Sequence, residues 1–341
     1  MNIRASYNFG FMLAHRNKMK HIPNELTHGI EINIEKRGKN KKDWEKLFNN
    51  PTVGISFLAT NAGNAQIMGN AFGLNGYILV PLIKKKSFRL ATSWGWGLGY
   101  ISKKFDPVNN HRNNTIGSNL NLFAAVKLTS EIKITNQAFI TVGASFHHWS
   151  NSGYKLPNLG LNLPSANLGF VYKFHDTGEF SKLSKSEKKK LGFSQKNEFS
   201  IIPSIGFKAV SEHDPKTYPA YTLSLNYSRL WSPMYKISVG YDLFYNTANK
   251  WILETSDDPE IQSKTAVQMG FNINYHQTFG KFSIVIGPGI YALNNLEGSQ
   301  FYMKFGTRYA INDRIILNTV LHTHWARADH FNLGIGYKFR R

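Results

Sequence analysis

Residues 29–35 read Gly-Ile-Glu-Ile-Asn-Ile-Glu and show the pattern that decides the fold. Isoleucine occupies every second position, and glutamate or asparagine stands between. Successive side chains of a β-strand point to opposite faces, so this stretch has one apolar face and one polar face. The same alternation recurs in about sixteen segments of the 341-residue chain, separated by turns rich in Asn, Gly, Asp, Pro and Lys. The sequence therefore predicts an all-β protein.

The length and chemistry of these segments favour a membrane barrel over a large soluble β-sandwich. Each runs for roughly ten residues, the length that a tilted strand needs to cross a bilayer. The polar face is built mainly from small side chains, as in residues 221–228, where Thr, Ser and Asn alternate with Tyr and Leu. Aromatic residues such as Trp94 and Tyr100 stand near segment ends, as in interfacial girdles. We predict an antiparallel transmembrane β-barrel of about 14–16 strands.

Composition excludes several other classes of protein. The chain is 42% hydrophobic, 14% aromatic and 18% charged, which is too apolar for a disordered protein. It contains no cysteine, so disulfides, thiolate zinc sites and cysteine nucleophiles are excluded. Its net charge of +20 predicts an anionic partner. The Lys-rich stretch 182–196 is not accompanied by any nucleic-acid-binding motif. We therefore expect anionic lipid headgroups, and no nucleic acid, as the partner.

A short internal repeat bears on the number of barrels. Residues 167–174 and 332–339 agree at six of eight positions, and each copy is an alternating strand that ends in Phe. The first copy is compatible with the end of an eight-stranded barrel, and the Lys-rich residues 175–197 with a linker or a charged turn. We predict one barrel, in which residues 1–174 supply the first strands, 175–197 a charged turn or linker, and 198–341 further strands. An eight-stranded barrel plus a second β domain is the alternative.

Residues 139–162 carry the candidate chemistry. The strand alternates through Ile140, Val142, Ala144 and Phe146, and the next residues with the same parity are His148 and Ser150. Same-face neighbours lie roughly 7 Å apart along a strand, and local twist or a bulge would bring the serine hydroxyl to the imidazole. A serine becomes a nucleophile when a neighbouring base takes its proton. A His-x-Ser pair that continues a lipid-facing stripe predicts attack on a lipid ester.

The segment 148–160, His-Trp-Ser-Asn-Ser-Gly-Tyr-Lys-Leu-Pro-Asn-Leu-Gly, resembles the lipid A 3-O-deacylase family of outer-membrane barrels. Bacteroidetes members of that family are commonly labelled acyloxyacyl hydrolases, and the family pattern is H-x-S-N-x-G followed by P-N-x-G. Eight strands up to Phe174 would cover the family's barrel, so 1–174 is the deacylase-like region. The resemblance implies that His148 is the general base and Ser150 the nucleophile. It also implies that Asn151, with backbone N–H groups, stabilises the oxyanion.

One position departs from the family pattern. The third catalytic residue is usually an acid about twelve residues after the serine, and Asn162 stands there. An asparagine can hold the imidazole tautomer through its side-chain oxygen, but it supplies no full charge. We therefore expect slower catalysis or an acid recruited from a loop, such as Asp106. The asparagine also resembles outer-membrane phospholipase A, which carries an H-x-S-N segment and Asn as third member. Asn162 favours that family, whereas the P-N-x-G segment favours the deacylase.

These observations predict an outer-membrane serine esterase that removes an ester-linked acyl chain from lipid A of lipopolysaccharide, without a metal or other cofactor. The first alternative is an outer-membrane phospholipase A, which would allow calcium as a cofactor and a homodimer. The second is a non-catalytic porin-like or binding barrel. No secretory signal follows Met1, so either the chain is a mature form with an added Met or the predicted destination, the outer membrane, is wrong. Polar strand ends are favoured over zinc ligands for His322, His324, Asp329 and His330.

Overall fold

The computed structural model describes residues 1–39, 41–174, 196–212, 214, 216–294, 299–325 and 327–340. These residues form two closed antiparallel barrels of eight strands each. The first barrel comprises β1 (Asn2–Phe11), β2 (Leu26–Arg37), β3 (Thr52–Asn61), β4 (Asn70–Lys84), β5 (Phe88–Ile101), β6 (Leu120–Lys133), β7 (Ala138–Ser150) and β8 (Leu161–Lys173). The second comprises β9 (Asn197–Lys208), β10 (Tyr218–Ser232), β11 (Tyr235–Asn246), β12 (Val267–Phe279), β13 (Phe282–Leu293), β14 (Phe301–Ala310), β15 (Ile315–His324) and β16 (Arg327–Arg340).

The all-β antiparallel prediction is confirmed, but the prediction of a single barrel of 14–16 strands is wrong. Strand β8 pairs with β1, from Asn2 opposite Lys173 to Gly10 opposite Ser165. Strand β16 pairs with β9 in the same way. Each set of eight strands therefore closes on itself and leaves no edge for the other set. The alternative, an eight-stranded barrel plus a second β domain, describes the chain. The predicted turn or linker at 175–197 falls largely on residues 175–195, which lie outside the described residues.

The alternation in the sequence separates the outside of each barrel from its inside. On β2, Ile30, Ile32 and Ile34 are 62%, 51% and 57% exposed, whereas Glu31 and Glu35 between them are buried. Comparable rows of exposed Phe, Tyr, Leu, Ile and Val cover the other strands. Such a continuous apolar surface is the lipid-facing band of a membrane barrel, and it far exceeds the apolar patches of soluble monomers. Among the described residues, no helix is both long and apolar enough to span a membrane.

The interior of the first barrel is filled at both ends. At one end Arg4 binds Glu35 at 2.7 Å and Glu131 at 2.6 Å, and Arg89 also binds Glu131. At the other end an apolar cluster closes the barrel, and its largest buried side chains include Phe123 and Trp149, with ring centroids 4.7 Å apart. Eight strands enclose just enough space for side chains, so this packed interior weighs against the porin-like alternative.

The connections of the first barrel differ between its two ends. At the end with the apolar cluster, the loops are residues 12–25, 62–69, 102–119 and 151–160. At the opposite end, residues 85–87 and 134–137 are tight turns, and the longer connection between β2 and β3 contains a short helix, α1 (Asp43–Leu47). The candidate site residues lie at the end with the apolar cluster, where β7 finishes and β8 begins.

The second barrel has a polar interior organised around Asp242. The Asp242 carboxylate accepts hydrogen bonds from Lys304 Nζ at 2.8 Å and from Tyr302 OH at 2.9 Å. Ser224 Oγ donates to the same carboxylate at 2.5 Å. All four side chains are buried. The paired charges satisfy one another, which is what allows them to be buried.

Candidate active site on the outer face of the first barrel

The site begins with the parity of β7. Ile140, Val142 and Phe146 point outward and are 38–48% exposed, whereas the intervening odd-numbered residues of this part of the strand point inward. His148 and Ser150 share the outward parity and continue this apolar stripe to the end of the strand. His148 is half-buried, and Ser150 is 9% exposed. The pair therefore sits at the edge of the surface that meets lipid.

His148 and Asn162 are direct neighbours across two strands. They are opposite each other in the β7–β8 pairing, and His148 Nδ1 lies 2.6 Å from Asn162 Oδ1. An amide oxygen can only accept, so this contact requires the proton to be on Nδ1. The other ring nitrogen, Nε2, then carries the lone pair that a general base needs. The structure brings these two predicted residues together, at a spacing of fourteen residues in the chain.

A second histidine, which the sequence did not predict as a site residue, contacts the other end of the Asn162 amide. Asn162 Nδ2 lies 3.0 Å from His15 Nδ1. His15 belongs to the loop 12–25, which follows β1. Because β1 pairs with β8 in antiparallel orientation, the loop that follows β1 lies beside the start of β8, where Asn162 is located. His15 is separated from Asn162 by 147 residues, and no local pattern in the sequence marks it.

Asn158 organises the serine and the residue after it. Its Oδ1 accepts a hydrogen bond from Ser150 Oγ at 3.2 Å and another from the Asn151 backbone N–H at 3.1 Å. An isolated bridge to Ile116 ties Asn158 to the loop 102–119. In the sequence, Asn158 is marked only as part of the P-N-x-G pattern, from which no role was predicted for it. Its place in that motif was the signal that could have identified it.

The Asn151 side chain is held in a buried polar cluster. It is 2% exposed, and its Nδ2 donates to Ser118 Oγ at 3.0 Å. Ser118 in turn donates to Asn121 Oδ1 at 3.0 Å. A side-chain amide nitrogen carries two hydrogens, and Ser118 accepts one of them. The cluster therefore fixes the direction of the amide next to the serine.

Gly160 is required by both its backbone and its neighbour. Its φ is +82°, a conformation that favours glycine. A Cβ at this position would lie 2.8 Å from His148 Cε1. Any side chain at residue 160 would therefore push against the imidazole ring. This contact gives a physical reason for the glycine of the P-N-x-G segment.

Asp106, the acid suggested as a substitute for a carboxylate at 162, is engaged in its own loop. Its Oδ1 accepts the backbone N–H of Asn109 at 2.7 Å and that of Val108 at 3.0 Å. These two hydrogen bonds hold the pKa of Asp106 below its usual range. The carboxylate thus caps a turn, whereas the contact at His148 Nδ1 is made by Asn162.

A second group of histidines lies inside the second barrel. Asp329 Oδ2 is 2.7 Å from His330 Nδ1 and 3.4 Å from His322 Nδ1, and all three side chains are buried. Tyr291 OH contacts His322 Nε2 at 3.2 Å. Lys208 Nζ pairs with the other carboxylate oxygen, Asp329 Oδ1, at 2.5 Å. The three ligand atoms lie within 4.8 Å of one another, but the Lys208 ammonium already neutralises the only carboxylate of this group.

Comparison with known proteins agrees with this division. Residues 28–171 match the family model "Lipid A 3-O-deacylase (PagL)", and residues 197–341 match "Acyloxyacyl hydrolase, C-terminal domain". The crystal structure of the outer membrane enzyme PagL is 14% identical, covers 51% of this chain and 100% of its own, and has a TM-score of 0.34. The Acinetobacter baumannii outer membrane protein Omp33 is 9% identical, with coverages of 100% and 97% and a TM-score of 0.18. The KdgM porin is 10% identical, with coverages of 99% and 99% and a TM-score of 0.18. No curated protein matches the chain.

The fold and the lipid-facing band define an outer-membrane β-barrel. The chain has one family match for each barrel: residues 28–171 belong to the lipid A 3-O-deacylase family, and residues 197–341 to the family of acyloxyacyl hydrolase C-terminal domains. It is accordingly an ester hydrolase of the outer membrane, with lipid A as the substrate of its family.

Proposed function

We propose that the chain is a serine esterase, in which Ser150 and His148 cleave an ester-linked acyl chain of lipid A at the lipid-facing surface of the first barrel. The main support for this proposal is the position of His148 and Ser150 on β7. His148 and Ser150 continue the outward apolar stripe of β7, and His148 Nδ1 is engaged by Asn162 Oδ1 at 2.6 Å. A base and a hydroxyl on this face can meet an ester without lifting the acyl chain out of the membrane.

In the proposed first half-reaction, the Ser150 hydroxyl turns from Asn158 Oδ1 toward His148, and Oγ attacks the ester carbonyl carbon while its proton passes to His148 Nε2. The carbonyl oxygen becomes an oxyanion, and Asn151 Nδ2 together with backbone N–H groups stabilises it. One such donor contributes about 3–4 kcal/mol to transition-state stabilisation. The sugar alkoxide then leaves and takes the proton from His148, which leaves the acyl group on Ser150.

In the second half-reaction, water attacks the acyl-serine and gives one proton to His148 Nε2. Collapse of the tetrahedral intermediate returns that proton to Ser150 Oγ and releases the fatty acid. Throughout, Asn162 holds the tautomer of His148 but supplies no negative charge to the imidazolium. We therefore propose a turnover slower than that of a site with a carboxylate at residue 162.

Charge at the same end of the barrel supports an anionic glycolipid as substrate. The loops 12–25 and 102–119 carry six exposed cations against only two acidic residues, Glu25 and Asp106. The cations are Arg16, Lys18, Lys20, Lys103, Lys104 and Arg112. Longer loops are typical of the extracellular side of outer-membrane barrels, where lipid A occupies the outer leaflet. Phosphates of lipid A would be attracted to this rim while an acyl chain lies along β7.

The test is mass spectrometry of lipid A after incubation with the detergent-solubilised protein, beside Ser150→Ala, with phospholipid in the same reaction. We expect lipid A to lose one hydroxyacyl chain from its 3-O position, and the Ser150→Ala reaction to leave it intact. Lysophospholipid formation that disappears with EDTA would instead indicate a calcium-dependent phospholipase A. Intact lipid A and phospholipid, from protein whose strand content circular dichroism verifies, would contradict the proposed function.

A further inference from the structure

Asparagine at residue 162 creates a requirement that a carboxylate would not have. The two oxygens of a carboxylate are equivalent acceptors, so either can face the imidazole. The two ends of an amide differ, and only the oxygen can accept the proton of His148 Nδ1. If the amide turned by 180°, Nδ2 would face His148 Nδ1 and would favour the tautomer with its proton on Nε2. That tautomer cannot take a proton from Ser150.

We propose that His15 is a positioning residue that selects the productive orientation of the Asn162 amide; this inference rests on the proposed function of His148. His15 Nδ1 lies 3.0 Å from Asn162 Nδ2, at the end of the amide away from His148. As an acceptor there, it engages the NH₂ group and leaves Oδ1 for His148, 2.6 Å away. His15 thereby acts on the base through one intervening side chain and touches no reacting atom.

A backbone contact holds His15 in place for this role. The N–H of Leu13 donates to the carbonyl oxygen of Asn162 at 2.9 Å. The loop 12–25 therefore binds the main chain of the same residue whose side chain His15 contacts. The contact continues the pairing of β1 with β8, which the barrel closure fixes. The distance between His15 and the Asn162 amide is thus set by the fold of the first barrel.

The tautomers of the two histidines are coupled through the amide. When His15 Nδ1 accepts, Asn162 Oδ1 faces His148, and His148 carries its proton on Nδ1. When His15 Nδ1 carries a proton, it must donate, and the amide oxygen turns toward His15. In the second state, the carbonyl oxygen of Leu13, 3.4 Å from His15 Nδ1, is an alternative acceptor for the Nδ1 proton, but at a longer distance. The shorter contact to Asn162 favours the first state, in which His148 is a base.

The test compares His15 variants in two backgrounds by kcat for lipid A deacylation. His15→Leu removes the acceptor, and since one net hydrogen bond is lost, we expect kcat to fall about tenfold. His15→Asn places an amide oxygen at the former Nδ1 position, and we expect activity within about twofold of the unmodified protein. His21→Leu, in the same loop, is the matched control and should leave kcat unchanged, because His21 Nε2 contacts the Arg112 carbonyl instead.

The second background separates positioning from a structural role. Asn162→Asp replaces the amide by two equivalent acceptors, so His15→Leu in the Asn162→Asp protein should no longer lower kcat. An equal loss in both backgrounds would show that His15 only supports the loop, and would overturn the proposal. Unchanged kcat in His15→Leu would overturn it as well.

A readout that does not depend on turnover keeps the inference separate from the proposed function. The ¹⁵N chemical shifts of the His148 ring nitrogens report which of them carries the proton. We expect an Nδ1–H tautomer in the protein and in His15→Asn, and a mixture in His15→Leu. If lipid A survives intact but these shifts change as expected, the proposed function fails while the coupling stands. If deacylation occurs and His15→Leu leaves the shifts unchanged, the coupling fails alone.

Discussion

Each barrel has histidines near the end of its seventh strand, but His148 of the first barrel faces outward, whereas His322 of the second faces inward. On β7 of the first barrel, His148 follows the outward apolar stripe and contacts the neutral amide of Asn162. On β15 of the second barrel, His322 points inward, is 2% exposed and contacts Asp329. By residue type the second group looks more like a hydrolase triad, because it includes a carboxylate. By position its side chains are buried inside the second barrel, away from the lipid-facing surface.

Strand parity, and not residue type alone, determines which of these histidines lies at the lipid-facing surface. A shift of one residue along a strand moves a side chain from the lipid to the interior. His147 and His148 show this within one strand, since His147 is 1% exposed and stacks on Phe123 inside the barrel. Only the side chain of even parity can meet a substrate in the membrane.

The largest expected effect is on the rate of deacylation, and it should occur only for variants of the histidine group in the first barrel. His148→Ala and Ser150→Ala should each lower deacylation by about 10³-fold or more, because each removes one partner of a nucleophile–base pair. His322→Phe should leave it unchanged, since His322 packs among Phe244 and Tyr302 inside the second barrel. Initial rates with purified lipid A check this. A comparable loss of deacylation activity in His322→Phe would show that the second barrel takes part in catalysis.

Stability should depend on one central carboxylate in each barrel. Glu131→Leu removes the carboxylate that pairs with Arg89 and leaves Arg4 with only Glu35, and Asp242→Leu removes the carboxylate that pairs with Lys304 in the second barrel. Each uncompensated buried charge should lower the free energy of unfolding by about 3–5 kcal/mol. Denaturant unfolding in detergent micelles measures this quantity.

The control for the buried pairs is an exposed one. Asp43→Asn removes the exposed ion pair with Lys46, whose Asp43 side chain is 55% exposed, and should change stability by less than about 1 kcal/mol. Equal effects at Asp43 and Glu131 would show that the interior ion pairs do not hold the barrels together.

Gly160→Ala should lower kcat about 100-fold, because the new Cβ combines a strained positive φ with a contact at His148 Cε1 and displaces the ring. Gly76→Ala in β4 is the matched control, since a Cβ there meets nothing within 4 Å. Steady-state kinetics of both proteins test this. If the two variants had the same kcat, the absence of a side chain at residue 160 would not be needed to position the His148 ring.

The smallest expected effect concerns Asn158. Asn158→Ala removes the acceptor shared by Ser150 Oγ and the Asn151 N–H, and should lower kcat about tenfold, in keeping with the loss of one or two hydrogen bonds. KM should change little if Asn158 acts on the geometry of the serine rather than on binding. A rise in KM at constant kcat would instead assign Asn158 to substrate binding.

The strands and the outward parity of His148 and Ser150 were predictable because both depend on a period of two residues. Barrel closure was not, because the pairing of β8 with β1 rather than with β9 is a long-range choice that no local pattern encodes. The repeat at 167–174 and 332–339 was the available signal. It falls on the strands that close the two barrels, β8 and β16.

The site was only partly predictable for the same reason. Asn162 was found because a family pattern placed a third residue at that spacing, and the β7–β8 hairpin brings it opposite His148. His15 reaches Asn162 only through barrel closure, and Asn158 reaches Ser150 by folding of the loop 151–160. Neither contact follows a strand or helix period, so residue spacing could not reveal it.

In the proposed mechanism, acyl transfer occurs at Ser150, on the outward parity of β7, activated by His148. The most direct measurement is labelling with a lipid-soluble fluorophosphonate, followed by peptide mapping of the phosphonylated residue. We expect the label to attach to Ser150 in the unmodified protein and in His322→Phe, and His148→Ala to abolish labelling. A label on another serine, together with deacylation that persists in Ser150→Ala, would contradict it.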